Sequence, residues 1–338
     1  MERLILSVCI PSYNGGEALI RLLKTLLSSK RQDFEVVVVD DCSRDDTQKF
    51  LANLLISDTR LRVEQNAFNL GMDKNFSRVA SLAKGEYLWF SGQDDLINPE
   101  SLELVIEFLL KNRDIEFLLM SHSKRFVTRF GTREVIGSYV ERPVFGKGLK
   151  SFLQHTNYFL PTFLPTFLIK VSDWRGIDIS RYYGTYYCQV GVFLETSQNI
   201  RWCHFPGNYV TGLVPSDGWQ TDPVSYVNIA FGHFAMLARA AENSSWMSRE
   251  ILQILCLRQR RRLIYSLLLI SRHRIQVNAS LWEEVLGLIS RFRKMSLPIR
   301  TVQCTPRIVA ALLLALINIR KIFKEWLSLL RGEYIDYR

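Results

Sequence analysis

Two pairs of adjacent aspartates are the residues of this chain whose placement most clearly suggests chemistry. Asp40-Asp41 directly follows a run of four valines, and Asp94-Asp95 follows a second apolar run after a short polar step. Both runs are typical of buried parallel strands, and open α/β sheets bind their ligands beyond the carboxyl ends of such strands. We therefore expect all four carboxylates to share one cleft.

Four carboxylates in one cleft repel one another, which raises their pKa values unless a cation or hydrogen-bond donors lie among them. A metal-bound phosphate group would relieve that repulsion. The two pairs therefore predict a site for a phosphate-containing ligand that binds together with a metal ion.

The first 120 residues must position these pairs, and they alternate between strand and helix patterns. The apolar run from Leu4 to Ile10 predicts a first strand. We also predict that Asn98 caps a later helix with Pro99 at its first position. Repeated strand-helix-strand units imply an α/β fold with a mostly parallel sheet and right-handed connections. The helix after the first strand is predicted from leucines at helical spacing, at Leu19, Leu22, Leu23, Leu26 and Leu27.

The pattern changes after residue 120. In the segment 158–169, Pro161 and Pro165 interrupt an apolar run, and we take them to exclude a central strand or an unbroken helix. From Pro223 onward the sequence is typical of helices. We therefore predict a ligand-binding half at 1–120, an acceptor-binding half at 121–222 and a basic helical region at 223–338.

Length, composition and cysteine usage indicate a folded cytoplasmic protein. At 338 residues and 48% hydrophobic content, the chain can form one large domain or two moderate ones. The first apolar run is too short for a secretory signal and leads into Pro11 without a cleavage site. The six cysteines show no CxxC spacing, so the sequence predicts neither a zinc site nor a disulfide framework.

The basic charge lies in the C-terminal part of the chain. Residues 249–338 contain 17 Lys and Arg residues against 6 Asp and Glu residues, and the whole chain has a net charge of +10. Basic positions alternate there with aromatic and apolar ones, which is typical of helices that lie on an anionic membrane surface. A helical subdomain with a solvated basic face is the alternative. Nucleic-acid binding is not expected, because no recognition motif accompanies the charge.

Four motifs give the chain a family resemblance. LSVCIPSYNGG, VVVVDDCSRDDT, an NxGxxxN pattern that ends at Asn75 and a DD-LINP step at Asp94 follow one another in order. Together they resemble the nucleotide-sugar-binding half of family 2 glycosyltransferases across residues 4–110, which implies the GT-A fold. Gly92 and the YYGT stretch are more similar to the abequosyltransferase-like branch, which decorates bacterial O-antigen repeats.

The resemblance implies a donor-binding site on the first two loops. Pro11 and Tyr13 would border the nucleobase, with Asn14 beside them, and Asp41 would accept a hydrogen bond from the base. Asn75 belongs to the same set of motifs, and a role as a helix cap is its alternative.

The resemblance also implies a diphosphate site. Asp94 would hold the ribose, and Asp95 would hold Mg²⁺ or Mn²⁺ on the diphosphate of the donor. The chemistry agrees, because negative charge gathers on a departing diphosphate and a hard cation bound by carboxylate and phosphate oxygens stabilises it.

Two departures from the family pattern affect the catalytic residues. Gly92 stands where many relatives have the first acid of a DxDD motif. Many relatives also carry a Glu-Asp pair at the start of a later helix, where the Asp deprotonates the acceptor. The nearest equivalent here is Cys188-Gln189, which cannot do so. The base is thus unassigned, with Glu195 and Asp217 as candidates.

These observations predict an inverting glycosyltransferase that moves a sugar from a nucleotide diphosphate sugar to a hydroxyl of a glycan. The expected acceptor is a lipid-linked O-antigen or other surface polysaccharide intermediate at the inner face of the cytoplasmic membrane. A nucleotide-sugar-binding scaffold without transferase activity is the alternative. A dinucleotide-dependent oxidoreductase is not expected, because no GxGxxG motif follows the first strand.

Overall fold

A computed structural model of the protein describes residues 3–55, 58–128, 131–214, 222–244 and 247–292. Its first part alternates strands and helices, as the sequence predicts. The strands are β1 (Leu6–Ser12), β2 (Phe34–Asp40), β3 (Leu61–Gln65) and β4 (Tyr87–Phe90), and the helices between them are α1 (Gly16–Leu27), α2 (Thr47–Leu55) and α3 (Met72–Leu82).

The chain then adds a second set of strands to the same sheet. These are β5 (Leu96–Ile97), β6 (Phe117–Thr128), β7 (Gly131–Ser138), β8 (Val144–Lys147), β9 (Phe167–Lys170) and β10 (Arg201–Val214). The helices of this part are α4 (Ser101–Lys111), α5 (Gly148–His155), α6 (Val171–Arg175) and α7 (Cys188–Thr196), with 3-10 turns at Leu164–Thr166 and Ile179–Tyr182.

The strands of the described residues form one sheet in the order β3-β2-β1-β4-β9-β6-β10-β5, with β7 beside β6 and β8 beside β10. Strands β1 to β4 pair in parallel, as do β6 and β10, whereas β9 is antiparallel to both of its neighbours. The valine-rich β2 is buried along its whole length, as expected for a parallel strand covered on both faces. The predicted α/β class is confirmed.

Hydrogen bonds align the ends of β1, β2 and β4. The backbone N–H of Asp41 donates to the carbonyl of Ser12 at 2.7 Å, and that of Ser91 donates to the carbonyl of Cys9 at 3.1 Å. The loops that follow these three strands therefore meet at the carboxyl edge of the sheet, where open α/β sheets bind ligands.

The helix predicted to start at Pro99 begins two residues later. α4 starts at Ser101, and the side-chain oxygen of Asn98 accepts the N–H of Glu100 at 3.0 Å. Asn98 therefore holds the turn that precedes the helix, and the prediction that it caps the helix was wrong.

A central strand also lies within the segment that was predicted to exclude one. β9 pairs with β4 on one side and β6 on the other. Pro165 falls in the 3-10 turn just before it, so Phe167–Lys170 keeps every backbone N–H available for pairing. Pro165 therefore precedes the strand and does not interrupt the sheet.

Contacts divide the chain into two compact units. The first comprises Met1–Val127, Gly131–Tyr183 and Cys188–Val214, and the second comprises Thr128–Phe130, Gly184–Tyr187 and Pro215–Arg338. Strands from both of the predicted halves, 1–120 and 121–222, thus share one sheet. The division of labour between those halves, and the separate role of 223–338, stay predictions.

The described part of the second unit is helical after Pro223, as the sequence predicts. It contains α8 (Pro223–Asn243), α9 (Arg249–Arg258), α10 (Arg260–His273) and α11 (Ala279–Ser290). α8 packs against α11, where the rings of Phe231 and Trp282 stack with centroids 5.3 Å apart and Arg239 forms an ion pair with Glu284 at 2.8 Å. Within the described residues, every helix is too short or too polar to cross a bilayer.

We expect Gly85→Ala to destabilise the sheet. A Cβ at residue 85 would lie 2.7 Å from backbone atoms of Leu6 and Ser7, which cannot move without disturbing β1. Overpacking of this kind costs about 1–3 kcal/mol, so thermal unfolding should show a Tm lower by a few degrees. Gly176→Ala is the matched control, because its Cβ would meet its nearest atoms at 3.5 Å. Equal losses in the two variants would contradict the prediction.

Candidate functional site

The carboxylate of Asp41 organises the loop that leads from β3 to α3. It is 2% exposed and accepts three hydrogen bonds, from the Asn66 side-chain amide at 2.7 Å and from the backbone N–H groups of Leu70 at 2.7 Å and Gly71 at 2.9 Å. Gly71 has a φ of +82°, a conformation that favours glycine. Asp41 therefore lies at the carboxyl edge of β2 and holds a closed loop around itself.

The other aspartate of this pair has a local role. The Asp40 carboxylate is buried and accepts the Ser43 N–H at 3.1 Å, together with the Ser43 hydroxyl and the Gln48 amide. All of these partners lie in the loop and helix that follow β2. Asp40 thus brackets its own loop, which leaves Asp41 as the member of the pair at the shared edge.

Asn75 ties strand ends together. Its amide nitrogen donates to the carbonyl of Val39 at 3.0 Å and to that of Ser12 at 3.4 Å, and its oxygen accepts the Asn66 amide at 3.0 Å. The side chain is 3% exposed. In this structure Asn75 positions the ends of β1 and β2 for the site.

Gln93 joins the loop after β1 to the loop after β4, although no sequence pattern pointed to this residue. Its side-chain oxygen accepts the Tyr13 N–H at 2.9 Å and the Ser12 hydroxyl at 2.8 Å, and its nitrogen donates to the Tyr13 carbonyl at 3.0 Å. The Tyr13 side chain is 40% exposed, so its ring is available to a ligand.

The loop after β1 is also fastened to the loop after β2. Asn14, which has a φ of +51°, donates its N–H to the Ser43 hydroxyl at 2.7 Å and accepts the Arg44 N–H at 2.9 Å. Pro11 is half-buried near the end of β1. The structure therefore brings the predicted donor-binding positions of both loops to one edge of the sheet.

Asp95 is a buried carboxylate beside a second acid. It is 7% exposed, and its Oδ2 accepts the Gly92 N–H at 2.9 Å. Burial, followed by the neighbouring charge of Asp94, raises the pKa of Asp95 to about 7, against the opposing effects of the Gly92 hydrogen bond and of Lys124. Asp94 is exposed to solvent, yet desolvation by the surrounding protein atoms raises the pKa of its carboxyl group as well.

The crowded space at Gly92 explains why no acidic side chain occupies the first position of a DxDD motif. A Cβ at residue 92 would lie 2.6 Å from Oδ2 of Asp95. The Asp95 carboxylate folds back onto the Gly92 backbone and occupies the space that a side chain at residue 92 would need. With this arrangement of Asp95, only glycine fits.

The Asp94-Asp95 pair fits a Mg²⁺ or Mn²⁺ ion that a phosphate ligand helps to bind. In the ranges that the structure describes, no three His, Cys, Asp or Glu side chains are grouped to form a metal cage. Mg²⁺ is commonly held by one or two carboxylates plus substrate phosphates and water. A buried carboxylate with a raised pKa next to a second acid is an environment in which a cation relieves repulsion.

Of the two candidates for the base that deprotonates the acceptor, Glu195 lies within the described residues. Asp217 lies outside the described residues. Glu195 lies near the end of α7, where it accepts the Tyr182 hydroxyl at 2.6 Å and forms an ion pair with Arg181 at 3.1 Å. The same helix begins at Cys188, where burial and then the charge of Asp73 in α3 raise the pKa of the buried thiol.

Comparisons with known proteins agree with the motifs. Residues 7–169 match the family described as Glycosyl transferase family 2. The chain is 25% identical over 208 residues to abequosyltransferase RfbV of Salmonella typhimurium, covering 57% of this chain and 61% of RfbV. It is 36% identical over 99 residues to the uncharacterized protein MT1568 of Mycobacterium tuberculosis, covering 29% of this chain and 30% of that protein. The chain thus spans less than two thirds of the length of these relatives.

Solved structures show the same fold. Residues 1–349 of Staphylococcus aureus TarS, in complex with UDP-GlcNAc, match with a TM-score of 0.61 and 20% identity over 99% of this chain and 93% of that one. A mannosyltransferase from Pyrobaculum calidifontis, in complex with GDP-Man and Mn²⁺, matches with a TM-score of 0.51 and 14% identity over 93% and 88%. The GT-A fold predicted for the chain is confirmed.

The raised pKa of Asp95 leads to a prediction about stability. A carboxylate whose pKa is higher in the folded than in the unfolded protein destabilises the fold increasingly as pH rises from about 4 to about 7. Asp95→Asn removes that charge and keeps an oxygen for the Gly92 N–H. In buffer with EDTA, we expect the variant to have a higher Tm than the wild type at pH 8 and a similar Tm at pH 4. A lower Tm of the variant at pH 8 would show that the charge of the Asp95 carboxylate does not destabilise the fold.

Proposed function

We propose that this chain, whose residues 7–169 form a family 2 glycosyltransferase domain with the GT-A fold, transfers a sugar from a nucleotide diphosphate sugar to a hydroxyl of a glycan acceptor. The observation that carries the proposal is the meeting of three loops at one sheet edge, which brings an exposed tyrosine, Tyr13, to the same edge as Asp41 and the Asp94-Asp95 pair.

The donor would lie across these loops. Tyr13 offers an exposed ring to a nucleobase, with Pro11 and Asn14 at its margin, and Asp41 supplies a carboxylate at the end of the next strand. Asp94, exposed beside them, would accept hydrogen bonds from ribose hydroxyls. Asn75 would contribute by fixing the strand ends rather than by touching the donor, since its amide already bonds to Ser12 and Val39.

Transfer would occur by one displacement with inversion. The acceptor oxygen attacks the anomeric carbon while a base takes its proton, and the bond to the diphosphate breaks with its electron pair on the phosphate oxygen. Asp95 would hold the cation near the diphosphate, where the cation would neutralise the charge of the leaving group. Binding both partners in one cleft replaces a bimolecular encounter with an oriented one.

The proposed acceptor is a lipid-linked intermediate of an O-antigen or another surface polysaccharide. The named activity of RfbV supports this, as does the 29% identity over 107 residues to TuaG of Bacillus subtilis, described as a putative teichuronic acid biosynthesis glycosyltransferase. An acceptor of this kind is anchored in the cytoplasmic membrane, so the enzyme would act at the inner membrane surface.

The helices of the second unit supply basic groups for peripheral docking on that surface. Arg258, Arg260 and Arg261 are exposed where α9 meets α10. Anionic lipids attract basic groups by about 1 kcal/mol for each one near the surface, an effect that salt screens. The remaining basic residues of the 293–338 segment lie outside the described residues.

We expect the purified protein to sediment with vesicles that contain anionic lipid. Binding should weaken in 0.5 M salt and should be absent with neutral phosphatidylcholine vesicles. Replacing Arg258, Arg260 and Arg261 by Gln should reduce the bound fraction, and Arg31→Gln is a matched control because Arg31 pairs with Asp33 in the first unit. Equal binding to neutral and anionic vesicles would contradict an electrostatic role for these residues.

A screen of donors tests the catalytic proposal. The protein is incubated with UDP-, GDP-, CDP- and dTDP-sugars, with and without Mn²⁺, and both thermal stabilisation and release of the nucleoside diphosphate are measured. We expect one nucleotide class to stabilise and turn over. Stabilisation by a donor without any turnover or transfer would favour the alternative of a nucleotide-sugar-binding scaffold.

Asp95→Ala should abolish metal-dependent turnover while the fold stays intact. Loss of a group that neutralises the leaving diphosphate removes an interaction made chiefly in the transition state, so activity should fall at least about 100-fold. Circular dichroism and Tm verify the fold, and Asp46→Ala, an exposed acid before α2, is the control. Near-normal metal-dependent turnover in Asp95→Ala would refute the assignment.

A further inference from the structure

We propose that Phe163 and Lys124 form the subsite for the sugar-phosphate end of the donor, a proposal that rests on the donor binding of the function above. In this subsite the Phe163 ring stacks against the transferred sugar, and the Lys124 ammonium binds oxygens of the phosphate that carries the sugar. Both residues belong to the first unit and lie beyond the four sequence motifs.

The strand pairing places Lys124 two strands away from Asp95. Leu96 of β5 pairs with Thr211 of β10, and in an antiparallel pair the residue before Leu96 adjoins the residue after Thr211. Asp95 therefore adjoins Gly212, and Gly212 is the register partner of Lys124 in β6. Since neighbouring strands lie about 4.8 Å apart, the backbone of Lys124 lies about 10 Å from that of Asp95.

The ring of Phe163 covers Gly212, the residue between Asp95 and Lys124. A Cβ at residue 212 would lie 2.4 Å from the Phe163 ring, so the ring rests on the backbone in the space that the glycine leaves open. The Lys124 ammonium lies over the same ring, 5.2 Å from its centroid. An aromatic surface and a cation thus lie beside the carboxylate that is proposed to hold the metal ion on the donor diphosphate.

Hydrogen bonds hold the backbone around Phe163. The Thr166 hydroxyl donates to the carbonyl of Phe163 at 2.6 Å, and the indole N–H of Trp89 in β4 donates to the carbonyl of Pro165 at 2.9 Å. Phe163 is half-buried and packs in part against the core, so the remainder of the residue is accessible. A fixed aromatic side chain with an accessible part is suited to stacking on the C–H face of a sugar ring.

Lys124 is the charged member of this group. The rings of His122 and Phe163 lie with their centroids 5.0 Å apart. Burial, followed by the charge of Lys124, lowers the pKa of His122 to about 3. His122 is therefore neutral near pH 7 and extends the aromatic surface without adding charge, which leaves the Lys124 ammonium as the group that attracts an anion.

A sugar diphosphate matches the groups assembled here. Its sugar ring presents C–H groups that pack on an aromatic face, and the adjoining phosphate carries the negative charge that an ammonium binds. The same diphosphate faces the cation proposed at Asp95, on the other side of Phe163. A neutral glycan acceptor has the C–H groups and lacks the charge, so the arrangement favours the donor over the acceptor.

Binding of two related ligands tests the stacking role of Phe163. The ligands are the sugar nucleotide that stabilises the protein most in the donor screen and its nucleoside diphosphate, and their affinities are measured by calorimetry with Mn²⁺ present. We expect Phe163→Ala and Phe163→Leu to bind the sugar nucleotide at least about fivefold more weakly and the diphosphate within about twofold of wild type. Leucine keeps the apolar packing, so it serves if the alanine variant does not fold. Phe145→Ala, which removes a 53% exposed ring from β8, is the matched control and should change neither affinity.

Lys124→Gln tests the phosphate contact with a second pair of ligands. The nucleoside monophosphate lacks the phosphate that carries the sugar, so the variant should bind it within about twofold of wild type. It should bind the diphosphate at least about tenfold more weakly, because a charge-assisted hydrogen bond is lost. Lys124→Arg keeps the charge and should restore most of that affinity. Lys150→Gln, at an exposed lysine of α5, is the control.

The outcomes separate this subsite from the function on which it rests. Equal losses of affinity for the sugar nucleotide and the diphosphate in the Phe163 variants, or no loss for either, would overturn the stacking role. Equal losses for the monophosphate and the diphosphate in Lys124→Gln, or no loss for either, would overturn the phosphate contact. Each of these results would leave the transferase function standing, whereas a wild-type protein that binds no sugar nucleotide would overturn both.

Discussion

The arrangement of this site depends on one buried carboxylate that needs hydrogen-bond donors. Burying a carboxylate without partners costs several kcal/mol, and Asp41 obtains its donors from Asn66, Leu70 and Gly71. These three hydrogen bonds close the loop after β3 and set the residue at which α3 begins. The positions of Asp73 and Asn75 follow from where that helix starts.

The parallel core could be predicted from sequence because burial on both faces leaves a composition signal. β4 is a continuous apolar run, β2 contains four consecutive valines, and α1 shows leucines at helical spacing. The aspartates that end such strands were therefore predictable as edge residues. The strand β10 gave no such signal, because its 14 residues include Pro206 and Gly207 and its pairing with β6 shifts register between Phe205 and Val210.

Contacts between distant parts of the chain were the least accessible to sequence reasoning. Gln93 belongs to no motif, and it can bridge two loops only because β1 and β4 lie side by side in the sheet. Gly92 was recognised as a departure from a motif, but its cause, the folded-back carboxylate of Asp95, is a matter of a few ångströms that residue types do not reveal.

The bridge made by Gln93 has a consequence for thermodynamic linkage. Its amide joins the backbone of Tyr13 to the loop that carries Asp94 and Asp95, so ordering one loop lowers the conformational entropy left to lose in the other. Because coupling between binding sites is reciprocal, a nucleotide bound at the first loop and a cation bound at the second, as proposed, would increase each other's affinity by the same factor. The two ligands would then bind cooperatively even through parts of the site where they do not touch.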